Sequence, residues 1–189
     1  GKTYIIREFA RDFRHFIEVN FEAEPELISM FKGNPDPVEI SKKLSIYYET
    51  PVHDGETLLF FDEIQACPEA LQALRYFYEK KPGLHVVAAG SLLEFALEKI
   101  ASYGVGRITS LFIYPLSFNE FLVASGKEQL LELKLNASYK KPLDKMFHKQ
   151  LNELFIKFVI LGGMPEVVQK YLKTGDLLQT QAILDDIYL

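Results

Sequence analysis

Two short groups of residues have the types and spacing for phosphate chemistry. The chain opens with Gly1-Lys2-Thr3, and the residues that follow, Tyr4 to Ala10, carry Ile5, Ile6 and Phe9 at helical spacing on one face. Gly-Lys-Ser/Thr at the start of a helix is the close of the phosphate-binding loop G-x-x-x-x-G-K-[ST]. In that setting Lys2 reaches the terminal phosphates and Thr3 holds Mg²⁺, while the helix N-terminus adds the positive end of its dipole. The second group is Leu58-Leu59-Phe60-Phe61-Asp62-Glu63. Its continuous apolar run predicts a strand buried on both faces, as in a parallel sheet. Burying a carboxylate without a partner is expensive, so Asp62 and Glu63 are expected at the strand's exposed carboxyl end. That is where open α/β sheets bind ligands. Asp62 then acts on the magnesium ion, and Glu63 orients or deprotonates the attacking water. Each group has an ordinary explanation by itself: three residues recur by chance, and a strand can end in a charged turn. A Gly-Lys-Thr helix start followed one or two strands later by an apolar run and an Asp-Glu pair favours a nucleotide site.

Two further residues are candidates at the same edge. Leu84-His85-Val86-Val87-Ala88-Ala89-Gly90 reads as the next strand, with small residues at its end that let a backbone or a ligand come close. Ser91 follows it, either as a helix N-cap or as a hydrogen-bonding partner of the attacking water or the γ-phosphate. Arg107 is by default a surface arginine. The sharper alternative places it near the γ-phosphate, in the same chain or in a neighbouring subunit. The preceding Tyr103-Gly104-Val105-Gly106 does not match the dinucleotide fingerprint G-x-G-x-x-G.

The elements that must position these residues follow in order. A helix is expected over Thr3–Arg11 and a strand over His15–Phe21, then a short helix over Leu27–Phe31. Asp36 and Pro37 open another helix as N-cap and first-turn residue, with Val38, Ile40, Leu44, Ile46 and Tyr47 on its buried side. After the central strand, a helix from Ala66-Cys67-Pro68 sets Leu71, Leu74 and Tyr78 toward the sheet. Further helices are expected over Leu92–Ile100 and from Pro115, with a strand over Ile108–Tyr114 between them. Ser117 and Glu120 form a capping box, S-x-x-E. Beyond Gly126 only helices are evident, including a long amphipathic one over Met146–Leu161 with Leu151, Leu154, Phe155 and Phe158 on one side. Gly162-Gly163-Met164-Pro165 is a sharp turn, and Gly175 ends the next helix. A domain boundary is expected near Ser125. It separates a first unit, 1–125, from a helical region, 126–189, that forms a lid or the start of a winged-helix unit.

Composition limits the alternatives. A chain of 189 residues allows one or two domains and a sizeable core. With 26 acids against 21 bases the net charge is −5, which argues against a dedicated binder of nucleic acid or anionic membrane. Lys140, Lys141, Lys145 and Lys149 form a local basic cluster that could touch nucleic acid, although a solvated helix face is the commoner explanation. The single cysteine, Cys67, excludes an intrachain disulfide and fits a reducing, cytoplasmic compartment. The four histidines, His15, His53, His85 and His148, lack zinc-ligand spacing. No apolar run approaches membrane-spanning length and no signal peptide is visible. A chain that begins inside a motif and stops inside a helical pattern reads as a piece of a longer protein.

Several of these pieces together resemble one family. Gly1-Lys2-Thr3, Leu59-Phe60-Phe61-Asp62-Glu63-Ile64-Gln65, Gly90-Ser91, Gly106-Arg107, Pro115-Leu116-Ser117-Phe118-Asn119-Glu120-Phe121 and Gly162-Gly163-Met164-Pro165-Glu166 occur in the order found in the bacterial and archaeal AAA-type P-loop ATPases. In these an ATPase core precedes a C-terminal domain of uncharacterised function. The Asp-Glu-Ile-Gln and Pro-Leu-Ser-Phe-Asn-Glu-Phe pieces are the more specific. The resemblance implies an α/β fold: a P-loop NTPase-like parallel sheet with helices on both faces and its first strand at the centre. That first strand and the front of the phosphate loop are missing from this sequence. It also implies ATP and Mg²⁺ as ligands, with Asp62 and Glu63 in the second nucleotide motif and Ser91 at the sensor position.

Three functions fit these residues. The first is an ATPase, in which Lys2 and Mg²⁺ neutralise phosphate charge while Glu63 handles the water. The second is a nucleotide-gated switch with little turnover, which exposes the helical region to a protein or DNA partner. The third is a P-loop kinase, ranked last because adjacent Asp and Glu suit water activation and no arginine-rich lid is evident. An oligomer, including a ring, needs an arginine that reaches across subunits, and Arg107 is the candidate.

Overall fold

The computed structural model describes residues 1–33, 36–91, 106–177 and 180. They form two compact units, Gly1–Leu111 and Phe112–Leu189. The division falls upstream of Ser125, because the helix that starts at Phe118 packs with the helices that follow it. The helix expected over 92–100 lies outside the described residues.

The first unit is built on a three-stranded sheet of order β1-β2-β3: β1 His15–Asn20, β2 Thr57–Asp62 and β3 His85–Ala88. Both pairings are parallel, with Ile17 opposite Leu59, Asn20 opposite Asp62 and Phe61 opposite Ala88. Every residue of β2 is buried, as a central strand covered on both faces requires. Side chains alternate along a strand, so Leu59 and Phe61 face one layer while Leu58 and Phe60 face the other. Leu59 and Phe61 join Ile17, Val19, Phe21, Phe31, Ile40 and Leu44 in the main core. Phe61 meets the rings of Phe21, Phe31 and Phe77 there, at centroid distances of 5.9, 5.5 and 5.8 Å. On the opposite face Phe60 stacks with Phe16 at 6.4 Å.

Helices α2, Pro37–Tyr47, and α3, Pro68–Lys80, supply the main-core layer together with the 3-10 segment Pro25–Phe31. Helix α1, Lys2–Phe9, reaches the other face through Arg7, whose guanidinium donates to both carboxylate oxygens of Glu18 at 2.8 and 2.7 Å. Glu18 lies on the same side of β1 as Phe16, two residues away. The layers are therefore helix, sheet, helix.

Helix positions agree with the sequence better than the buried faces do. In α2 the buried residues are Pro37, Ile40, Ser41 and Leu44, whereas Val38, Ile46 and Tyr47 are exposed. A 3.6-residue turn carries 37, 40, 41 and 44 along one stripe and leaves 38, 46 and 47 outside it. In α3, Ala70, Leu71, Ala73 and Phe77 face inward and Tyr78 is exposed. Ile5 and Phe9 of α1 are exposed, so its apolar spacing does not translate into burial. The strand expected over Ile108–Tyr114 does not form. The backbone there pairs with no described strand, and Leu111, Phe112, Ile113 and Tyr114 are exposed. Apolar, β-branched composition suits a strand, but only a ladder partner makes one.

The second unit is helical: α4 Phe118–Ala124, α5 Glu128–Leu135, α6 Lys145–Leu161 and α7 Pro165–Thr174. Ser117 Oγ accepts from the Glu120 N–H while the Glu120 carboxylate accepts from the Ser117 N–H at 2.7 Å, a complete capping box at the start of α4. Asp144 caps α6 by accepting from the Met146 N–H at 2.8 Å. The two small cores share Phe118 and Leu154, one holding Phe121, Leu161, Val167 and Val168, the other Leu122, Leu130 and Leu151. The turn before α7 has a steric reason for its glycines. Gly162 sits at φ 69°, ψ −174°, a conformation open to glycine alone. A Cβ on Gly163 would collide with the backbone of Leu116, whose N–H donates to the Gly163 carbonyl at 2.7 Å. The Pro115-Leu116-Ser117 and Gly162-Gly163-Met164 pieces of the sequence thus meet in space.

Candidate nucleotide site

The carboxyl ends of the three strands form one edge, and most of the expected residues gather there. Thr3 lies in the first turn of α1. Its hydroxyl donates to Asp62 Oδ2 at 3.0 Å across 59 residues of chain. Asp62 is the last residue of β2 and only 4% exposed. Its Oδ1 accepts from the Glu63 N–H at 3.1 Å, and its carbonyl accepts from the Phe21 N–H at 3.2 Å. Phe61 and Ile64 are tied to the neighbouring chain segment as well. The Ala89 N–H donates to the Phe61 carbonyl at 2.9 Å, and the Ile64 N–H donates to the Ala89 carbonyl at 3.0 Å. These bonds fix the backbone on both sides of the acidic pair.

Glu63 leaves the strand with φ 49° and ψ 43°, a left-handed conformation that is uncommon for a glutamate. The turn aims its side chain along the edge, where Glu63 Oε2 accepts from Gln65 Nε2 at 2.6 Å. Ser91 follows β3 at the same edge, with its Oγ 3.5 Å from Gln65 Nε2. Lys2 precedes Thr3 with its side chain exposed. Arg7, one helical turn after Thr3, is held above its ordinary pKa first by its hydrogen bond to Glu18, and the charge of Asp62 adds to that.

Arg107 is placed elsewhere. Its Nε pairs with Glu79 Oε1 at 3.1 Å, and the same oxygen accepts from Arg75 at 2.9 Å. Glu79 stands in the last turn of α3, which leads into the start of β3, so Arg107 is tied toward the opposite end of the strands from Asp62. The lysines Lys140, Lys141, Lys145 and Lys149 are all exposed in the second unit.

The donor set can be compared with a magnesium ion. Asp62 is buried, yet its carboxylate is bonded to a neutral hydroxyl and a backbone N–H. A buried carboxylate so paired fits a nearby cation, and the oxygens of Thr3 and Asp62 suit a hard one. Among the described residues no three His, Cys, Asp or Glu side chains cluster as a metal cage. Mg²⁺ does not need one, because it keeps several waters and binds through one or two protein oxygens plus substrate phosphates. Among the described residues, too, no helix is long and apolar enough to cross a membrane.

Sequence reasoning gave no chemical role to Gln65, Glu22 or Arg7. Arg7 had a visible cue, since it lies four residues after Thr3 and so on the same helix face. Gln65 stood in the Asp-Glu-Ile-Gln piece of the family resemblance, but nothing in its spacing named a partner for its amide.

A parallel sheet layered between helices, with a Gly-Lys-Thr helix start bonded to a strand-terminal acid, is the arrangement of a P-loop ATPase. Residues 1–122 match the family described as an AAA domain, and the chain belongs to that family. Among solved structures it is similar to the Walker-type ATPase of Pyrococcus abyssi, with a TM-score of 0.54 and 19% identity. The match covers 100% of this chain and 64% of that one, so the chain spans less than two thirds of that protein. At this identity the likeness is one of fold. No curated protein matches the sequence.

Proposed function

We propose that this edge binds ATP with Mg²⁺ and, where the phosphate loop is complete, hydrolyses it to ADP and phosphate. The observation that carries the reading is the 3.0 Å hydrogen bond between Thr3 and Asp62, which brings the two sequence groups to one point. Bound magnesium would neutralise phosphate charge. Thr3 and Asp62 are the residues that would hold it. Lys2, exposed at the start of α1, extends its ammonium toward the terminal phosphates, and Gly1 lets the backbone approach them. Glu63 accepts the proton of the attacking water, and Ser91 hydrogen-bonds the water or the γ-phosphate. Arg107 enters only by acting across a subunit boundary, because within the chain it is bound to Glu79.

The test is made in the full-length protein, with labelled ATP. Glu63→Gln is expected to keep ATP affinity while kcat falls by about 100-fold or more, the usual scale for a lost general base. Equal turnover by variant and parent would remove Glu63 from the mechanism. Trapped ATP that stays intact while a partner binds identifies a nucleotide-gated switch instead, and a phosphorylated acceptor identifies a kinase.

A further inference from the structure

The Gln65 amide meets the ends of all three strands. Its nitrogen donates to Glu63 Oε2 at 2.6 Å, with Glu22 Oε1 at 3.4 Å and Ser91 Oγ at 3.5 Å. Glu22 follows β1, Glu63 follows β2 and Ser91 follows β3. The short contact is to the carboxylate assigned to the water. The neighbours also fix which way the amide faces. Turned over, its carbonyl oxygen would press against the Glu63 carboxylate, acceptor against acceptor.

The other end of the amide has no such partner. Gln65 Oε1 is buried without a hydrogen bond among the described residues. Glu63 itself carries the left-handed backbone at φ 49°. The left-handed backbone of Glu63 and the Gln65 amide nitrogen thus act on one carboxylate, the turn setting where it leaves the strand and the amide holding one of its oxygens. Local costs of this kind collect where a site must be held ready.

We infer that Gln65 is a positioning residue for ATP hydrolysis: its amide nitrogen fixes the Glu63 carboxylate in the orientation from which it deprotonates the attacking water. The inference rests on the ATPase reading above. In the step it serves, the water oxygen bonds to the γ-phosphorus and its proton passes to Glu63. The bond from that phosphorus to the β–γ bridging oxygen breaks, and ADP leaves with the electron pair.

The decisive variant is Gln65→Met in the full-length protein. Methionine keeps the length of the side chain, removes the donor and also removes the orphaned carbonyl. A merely structural glutamine predicts an active variant. A positioning role predicts a melting temperature at or above the parent's, a KM for ATP within about twofold and a kcat lower by about 10- to 100-fold, the scale of a misplaced catalytic group. Combined with Glu63→Gln, it should add little further loss. If the Met variant does not fold, Gln65→Ala is read by the same three quantities. Parental kcat in a folded variant overturns the inference, as does a loss of kcat that only tracks a loss of folded protein. If the parent hydrolyses no ATP and Glu63→Gln changes nothing, the ATPase reading itself fails and the positioning role falls with it.

Discussion

Asp62 and Thr3 show how a single buried acid constrains its neighbours. Thr3→Val keeps the shape of the side chain and removes the hydroxyl that donates to Asp62 Oδ2. The carboxylate, 4% exposed, then loses a partner, and stability should fall by about 1–3 kcal/mol in chemical denaturation. Thr3→Ser keeps the donor and should recover most of the loss. Cys67 illustrates a buried group of a different kind, a thiol whose Sγ donates weakly to Glu69 Oε2 at 3.9 Å. It is fully buried, and burial pushes its thiol above the ordinary value. The thiolate is the reactive form, so a thiol reagent at pH 8 should label the native chain slowly and the unfolded chain fast. At this scale the sequence showed the Gly1-Lys2-Thr3 and Asp62-Glu63 groups because each carries its chemistry in its residue types. Gln65 was legible as part of the Asp-Glu-Ile-Gln piece but not as a partner of Glu63, since that pairing needs the left-handed turn that brings the two together.

Among the elements, β2 was readable because burial on both faces needs an uninterrupted apolar run. Ile108–Tyr114 has strand composition as well, yet a strand also needs a ladder partner, which composition cannot supply. Helix faces were misread for a similar reason: Val38, Ile46 and Tyr47 are apolar but lie off the stripe that meets the sheet. The glycine turn was legible as a turn, while its close approach to Leu116 was not. Gly163→Ala should therefore destabilise the helical unit by about 1–3 kcal/mol, the cost of forcing an atom into a filled space, measured as a lowered denaturation midpoint. The capping box gives a pH dependence with a definite sign. Hydrogen bonds from Ser117, first the backbone N–H and then the hydroxyl, hold the Glu120 carboxyl below its ordinary value of 4.5. Its folded pKa lies below its unfolded one, so its contribution is full above the unfolded value and disappears as pH falls through the folded value. Glu120→Gln should lose that dependence, and stability measured between about pH 3 and 6 should vary less with pH in the variant than in the parent.

For the molecule as a whole, the proposed nucleotide reading draws on the family match over residues 1–122 and on the carboxyl edge of the three-stranded sheet. A ligand that binds the native state and not the unfolded chain stabilises the former by mass action, by about 2.7 kcal/mol at a hundred times its Kd. In the full-length protein the melting temperature should rise with ATP concentration when Mg²⁺ is present, and EDTA should remove most of that rise. Asp62→Asn separates the metal from the fold. Asparagine can keep its oxygen on the Glu63 N–H and donate its amide to the Thr3 hydroxyl oxygen, and it eases the burial of charge, so the ligand-free melting temperature should stay near the parent's. It cannot hold a cation as a carboxylate does, so the Mg²⁺-dependent part of the ATP effect should be lost. A melting temperature that ATP and Mg²⁺ leave unmoved in the parent would detach this edge from nucleotide altogether. An Asp62→Asn variant that keeps the full Mg²⁺-dependent rise would show that the metal is held by other groups.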